Sequence, residues 1–60
     1  MKVVIKYKGQ LKETVRRDIR LVSMTEKDKK NDSIYIVRKD RQHGTYFHLK
    51  DMIFLDIEED

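Results

Sequence analysis

The chain contains no cysteine, no proline, no tryptophan and only two glycines among its 60 residues. The lack of cysteine excludes disulfides and thiolate metal sites. Gly9 and Gly44 lie too far apart in the chain to form a glycine-rich phosphate loop. No apolar run approaches the roughly 18 residues of a membrane span, and the short apolar run after Lys2 is not typical of a signal peptide. We therefore expect a cytoplasmic protein that does not bind membranes.

The length predicts one domain, residues 1–60, with a small core. A chain of this size buries only roughly 60% of the surface that its unfolded form exposes, so a homodimer would be one way to gain stability. Although 42% of the residues are charged, the net charge is only +3. Val, Ile, Tyr and Phe also cluster in bounded runs, unlike in disordered chains. We expect a folded domain.

The charges are distributed unevenly along the chain. Residues 1–50 contain all 14 Lys and Arg residues and six acids, a balance of +8, whereas residues 51–60 contain five acids and no base, a balance of −5. This basic body with an acidic tail is the main compositional indication of the kind of partner.

Hydrophobic periodicity predicts mostly strands. Residues 2–8 alternate with a period of two and precede a turn at Gly9. Residues 34–39 begin with four apolar side chains, which is typical of a central strand covered on both faces. A hairpin turn at 40–44, a strand at 45–49, a break at 50–52 and a last strand at 53–58 follow. The polar residues 25–33 predict an exposed loop.

Residues 11–24 fit both a strand and a helix. Leu11, Val15 and Ile19 are compatible with either period, but the β-branched residues and the like charges at helical spacing favour a strand. The fold class is therefore predicted as all-β, a small five-stranded antiparallel SH3-like barrel. The alternative is an α+β fold with a helix at about 11–22.

The last strand is the most apolar segment of the chain. Ile53, Leu55 and Ile57 would face one side, and Phe54 and Asp56 the other. We expect this strand to pair with an earlier strand and to fill the core. The acidic end would then discourage edge-to-edge aggregation.

Nothing in the sequence indicates catalysis. His43 and His48 lack metal-ligand spacing, and Ser23 and Ser33 lack a recognisable nucleophile motif. Paired carboxylates occur only at residues 56–60, where exposure gives little reason to expect general acid–base catalysis. We predict a non-enzymatic protein with no catalytic residue, no metal and no cofactor.

Basic residues carry the first functional hypothesis, which is nucleic-acid binding. On one face of the predicted second strand, basic side chains recur every four residues, about 13 Å apart, and more surround the 40–44 hairpin, flanked by two tyrosines. The predicted contacts are Lys12, Arg16, Arg20, Arg38, Lys39, Arg41, Tyr35 and Tyr46. A basic groove with aromatic platforms is how small barrels hold single strands. The alternative for these residues is an ordinary solvated face, neutralised by neighbouring acids.

Protein–protein interaction is the second functional hypothesis. The marginal core and the apolar strand at 53–57 would suit a small regulator or inhibitor that docks on a larger protein or pairs with itself.

Scattered positions resemble a known family. Ile5 and Tyr7, then Arg17 and Ile19, then Ile34-Tyr35-Ile36 and finally YFHLKDMIFL resemble the small SH3/Sm-like barrel of WYL domains and, in outline, YolD-like proteins. This resemblance spans residues 3–57. It implies a bacterial or phage regulatory protein that responds to nucleic-acid-derived ligands. Met52 stands where that family tends to have a basic ligand-contacting residue.

Overall fold

The computed structural model describes residues 1–59, which form six short strands and one short helix. The strands are β1 (Lys2–Tyr7), β2 (Thr14–Arg16), β3 (Ile19–Ser23), β4 (Ser33–Arg38), β5 (Thr45–His48) and β6 (Met52–Glu58), and the helix is α1 (Glu26–Lys30). The chain is therefore mostly β, as predicted. The segment for which a helix at 11–22 was the alternative contains strands.

The strands form two antiparallel sheets of three strands each. The first sheet has the order β2-β1-β6 and the second β3-β4-β5. Within residues 1–59 the backbone ladders thus form two separate sheets with six strands, not one closed five-stranded barrel. The position of β4 between β3 and β5 confirms that 34–39 is a central strand, and the hairpin turn before Thr45 is confirmed as well.

A bend divides the segment that we predicted as one strand. β2 pairs with β1, whereas β3 pairs with β4 in the other sheet, and only Arg17 and Asp18 separate them. Asp18 holds the bend: its carbonyl accepts a hydrogen bond from Lys39 N (2.7 Å) and its carboxylate one from Arg38 Nε (2.9 Å).

The bend corrects one prediction about the basic residues. Lys12 precedes β2, Arg16 ends β2 and Arg20 lies in β3, so these three side chains do not share the face of one strand. Strand alternation holds only while the chain stays in one ladder, and the change of sheet after Arg16 interrupts it.

The predicted loop at 25–33 contains the helix α1, which was not predicted from the sequence. Thr25 Oγ1 accepts a hydrogen bond from Asp28 N (3.2 Å), and Asp28 Oδ2 accepts one from Thr25 N (3.0 Å), which together form a capping box. Asp28 is buried against β4, where Ser33 Oγ donates to its carbonyl. No helix in the described part of the chain is long and apolar enough to cross a membrane.

Both sheets contribute to one core. Its five buried residues are Val3, Ile5, Ile19, Ile34 and Ile36. Each is β-branched, which suits strands, and fully burying such a side chain contributes about 1.5–3 kcal/mol. The core therefore joins β1 of the first sheet to β3 and β4 of the second.

The prediction for the last strand is only partly confirmed. β6 pairs with β1, and Leu55, opposite the core residue Ile5, packs against the core. However, Ile53 is 61% exposed, Phe54 46% and Ile57 39%. The expectation that this strand fills the core is thus wrong for most of its apolar side chains, because β6 is the outermost strand of its sheet.

Candidate functional site

The strand registers place polar side chains of β2 on the core side of the first sheet. Arg16 lies opposite Val3, and Thr14 lies opposite Ile5. Residues directly opposite each other in an antiparallel pair project from the same face. Arg16 and Thr14 therefore face the same side as the buried Val3 and Ile5, at the free edge of the sheet.

The second sheet repeats this arrangement. Arg38 in β4 lies opposite the buried Ile19, and Thr45 at the start of β5 lies opposite the buried Ile36. Arg38 and Thr45 thus face inward from their own sheet, towards the inward face of β2.

A groove opens where these polar residues meet. Its volume is about 320 Å³. The residues that line it are Val3, Ile5, Tyr7, Gln10, Thr14, Arg16, Ile19, Ile36, Arg38, Thr45 and Phe47. The floor is apolar core, and the mouth is polar. Small threonines and long arginines stand here where a closed barrel would need large apolar side chains, so the two sheets do not close over the core on this side.

The groove arginines keep free donors. The Arg16 side chain makes no hydrogen bond or ion pair among residues 1–59, although its charge also helps to lower the pKa of Asp18. Arg38 uses Nε for both of its ion pairs, to Asp18 at 2.9 Å and to Asp40 at 3.7 Å. Its two terminal nitrogens make no hydrogen bond within the described chain and can bind a second anion in the planar geometry that suits carboxylates and phosphates.

The Asp18–Arg38 ion pair also shifts the pKa of both side chains. The hydrogen bond from Arg38, helped by one from the Asp18 backbone, lowers the pKa of the Asp18 carboxyl below its ordinary value. The same hydrogen bond raises the pKa of the Arg38 guanidinium, with the nearby Asp40 adding to the effect. Both groups therefore stay charged at neutral pH, and Asp18 fixes Arg38 at the mouth of the groove.

The β4–β5 hairpin extends the basic surface. Arg41, His43 and Gly44 line a depression of about 160 Å³ that shares Arg38 and Thr45 with the groove. Arg20 Nη2 donates a hydrogen bond to the Arg41 carbonyl (3.0 Å). Arg20 therefore positions the hairpin, on which Lys39 is also exposed.

The predicted tyrosine platforms lie elsewhere. Tyr35 and Tyr46 are opposite each other in β4 and β5, with ring centroids 4.7 Å apart. Tyr35 alternates with the buried core residues Ile34 and Ile36, so this pair occupies the outer face of the second sheet, away from the groove. Tyr35 Oη also accepts a hydrogen bond from Gly44 N (2.7 Å), which braces the hairpin.

Several residues that were not predicted as contacts also line the groove. Tyr7 and Phe47 supply its aromatic walls, and Gln10, Thr14 and Thr45 supply polar groups at its mouth. The predicted hairpin could not have found Thr45 and Phe47. They lie opposite Ile36 and Ile34, whereas a turn confined to 40–44 would have placed residue 45 opposite residue 39 and so on the other face of the sheet.

Lys12 belongs to a different surface, which we name the apolar patch. It consists of Leu11, Ile53 and Phe54 with Lys6, Lys12 and Glu13, around an open cleft of about 590 Å³. Leu11 is 96% exposed. Lys12 has no ion pair or hydrogen bond within residues 1–59.

No metal-binding cluster of three histidine, cysteine or acidic side chains occurs in the described residues. His43 and His48 are both exposed. Of the two serines, Ser33 is buried and bonded to the helix end. The groove thus offers cationic donors and an apolar floor, an arrangement suited to binding a ligand that combines anionic groups with flat apolar faces.

Comparison of the chain with protein-family models, with curated proteins and with solved structures found no significant match.

Proposed function

We propose that this protein is a non-enzymatic binding module that contacts nucleic acid through the arginines of the groove and the hairpin. The observation that carries the proposal is the placement of Arg16 and Arg38 on opposite sheets at the mouth of one groove, with free guanidinium donors. Arg41 extends this set along the hairpin. Arg20 acts through the Arg41 carbonyl and is a positioning residue.

The chemistry of these groups favours phosphate. A guanidinium presents a rigid fork of donors that fits two oxygens of a phosphate, and it stays charged at any physiological pH. Three guanidiniums at the groove and the adjoining hairpin suit a polymer of phosphates better than a single small anion. The resemblance to WYL domains implies a ligand of the same class. On this basis we place the protein in the cytoplasm, as a small regulator of a bacterium or its phage.

We further propose that the two sheets are the halves of an SH3-like barrel. Support comes from β2 and β3, which are consecutive and separated only by the bend at Arg17 and Asp18. A strand that bends from one sheet into the next is how packed sheets form a corner. In this proposal the other two edge strands, β5 and β6, do not pair to close the barrel, and the groove opens between inward-facing side chains of β2 and β5.

The test is a fluorescence anisotropy titration of labelled single-stranded DNA at several salt concentrations. If Arg16, Arg38 and Arg41 each neutralise one phosphate, the affinity should fall about 20-fold between about 50 and 200 mM salt. Arg16→Ala removes one contact, and its affinity should fall only about 7-fold over the same range.

Lys30→Ala is the matched control, because it also removes one exposed positive charge but lies at the end of α1, outside the groove. It should keep the salt dependence of the unchanged protein. If Arg16→Ala and Lys30→Ala show the same salt dependence, the groove is not the site, and binding reflects net charge alone.

Self-association through β6 is the second candidate function. The specific observation is that β6 is an edge strand whose Ile53, Phe54 and Ile57 are exposed. An unpaired edge of this kind is a template for pairing with another chain. A second copy fits because two β6 strands would bring the same apolar side chains together, although the two Asp56 carboxylates would repel each other, whereas Glu58 is paired with Lys2 Nζ at 3.4 Å.

This repulsion separates the two candidates. Salt screens like charges, so a dimer formed through β6 should become stronger as salt rises, whereas phosphate binding should become weaker. Sedimentation equilibrium from low to high salt measures the dimer, and Phe54→Ser should abolish it. A monomer at every salt concentration would exclude self-association and leave docking on a larger protein as the remaining form of this hypothesis.

A further inference from the structure

The groove has the chemistry of a nucleobase site as well as of a phosphate site. Below the arginines its floor is formed by core side chains, Val3, Ile5 and Ile36 among them. Its volume of about 320 Å³ lies at the small end of the range for ligand pockets. A phosphate would not be stabilised by contact with an apolar floor, whereas a base has two apolar faces that can pack against it.

Two aromatic side chains form walls of the groove. Phe47 packs against the core from β5. The Tyr7 ring is held in place, because its Oη donates a hydrogen bond to the His48 carbonyl (2.7 Å). Since every base has a flat π-face, stacking on such rings is tolerant of sequence and changes affinity by roughly tenfold for one base.

Unpaired polar groups surround the mouth. Gln10 Oε1 accepts a hydrogen bond from Tyr7 N (3.0 Å), which leaves the Gln10 amide nitrogen without a partner in the described chain. The hydroxyls of Thr14 and Thr45 make no hydrogen bond within residues 1–59. These donors and acceptors converge on one opening, where they can pair with the polar edge of a base whose faces lie against the floor and walls.

We propose that the groove receives one unstacked nucleobase while Arg16 and Arg38 hold the adjoining phosphates, so that the protein selects single-stranded over duplex nucleic acid. The proposal rests on the function proposed above and adds the base. Bases in a duplex are stacked and paired, and reaching the groove would require extruding one of them. A single strand has no such requirement.

The test uses three labelled probes of equal length: oligothymidylate, the same backbone with a stable abasic sugar at every position, and a duplex. Binding is measured by anisotropy at low salt. We expect oligothymidylate to bind roughly tenfold more tightly than the abasic strand and the duplex. Equal affinity for oligothymidylate and the abasic strand would overturn the base site while leaving phosphate binding intact. Absence of binding to all three would overturn both proposals.

Two leucine substitutions locate the base. Phe47→Leu keeps apolar volume but removes a flat ring from the groove, and it should lower the affinity for oligothymidylate roughly tenfold while leaving that for the abasic strand unchanged. Phe54→Leu is the matched control, because Phe54 lies in the apolar patch, and it should change neither affinity. Circular dichroism confirms that both variants are folded. Equal effects of the two substitutions would place the base outside the groove.

Discussion

Replacing Gly44 by alanine is expected to destabilise this protein severely, because the structure leaves no room for a β-carbon at this position. A β-carbon at this position would overlap the Ile36 carbonyl oxygen and would lie 2.7 Å from Val37 Cγ2. Ile36 belongs to the central strand β4, and Val37 is 1% exposed, so neither atom can withdraw without moving the core. Such overpacking costs about 1–3 kcal/mol.

The clash would also displace a hydrogen bond. Gly44 N donates to Tyr35 Oη at 2.7 Å, and its loss would cost about 1 kcal/mol more. The total of about 2–4 kcal/mol is comparable with the about 3–5 kcal/mol that the core of so small a domain supplies. We therefore expect the Gly44→Ala melting temperature to fall by more than roughly 10 °C, with part of the protein unfolded at room temperature.

Thermal and urea unfolding followed by circular dichroism measure this effect. Gly9→Ala is the control. Gly9 has φ +89°, but a β-carbon there would meet nothing within 4 Å. It should therefore cost only the backbone strain of about 1–2 kcal/mol. A Gly44→Ala protein as stable as the unchanged chain would refute the close approach of the hairpin to β4, and with it the position of Arg41.

Three further predictions concern stability. Thr25→Ala removes the capping box with Asp28 and should cost about 1 kcal/mol in urea unfolding, whereas Thr25→Ser should cost little. Ile34→Val trims one methylene from the core and should lower the unfolding free energy by about 0.5–1.5 kcal/mol with an unchanged urea slope. The hydrogen bond from Arg38 lowers the folded-state pKa of Asp18, so ionised Asp18 stabilises the fold above its unfolded-state pKa of about 3.9, and this contribution is lost as the pH falls through the lower folded-state pKa. Urea midpoints of Asp18→Asn should therefore decline less on acidification below about pH 5 than those of the unchanged protein, and parallel declines would contradict this linkage.

Local patterns in the sequence were sufficient for most of the strands. The alternation in residues 2–8 and the apolar run from Ile34 to Val37 predicted β1 and β4 within one or two residues. In residues 2–8 the two faces of the strand differ, and this pattern fits a period of two. In residues 34–37 both faces are apolar, which is typical of a central strand. The sequence TEKD at 25–28 also contained a helix start, but five helical residues are too few to show a hydrophobic period.

The bend after Arg16 could not be predicted in this way. It depends on Asp18, whose hydrogen bonds reach Arg38 and Lys39 some 20 residues away in the chain. Contacts of this range leave no periodic trace near the bend. Arg16 and Arg38 were both predicted as contacts. That they meet across one groove could not be predicted, for the same reason, because it follows only from the packing of two sheets.

The groove as the site of nucleic-acid contact is tested most directly by two-dimensional ¹H–¹⁵N NMR of the labelled protein, titrated with unlabelled oligothymidylate at low salt. We predict that the amide shifts concentrate on β2, the end of β4 and the hairpin, with Arg16, Arg38 and Thr45 among the largest. Unperturbed amides there, with shifts confined to α1 or β6 or absent altogether, would contradict the account.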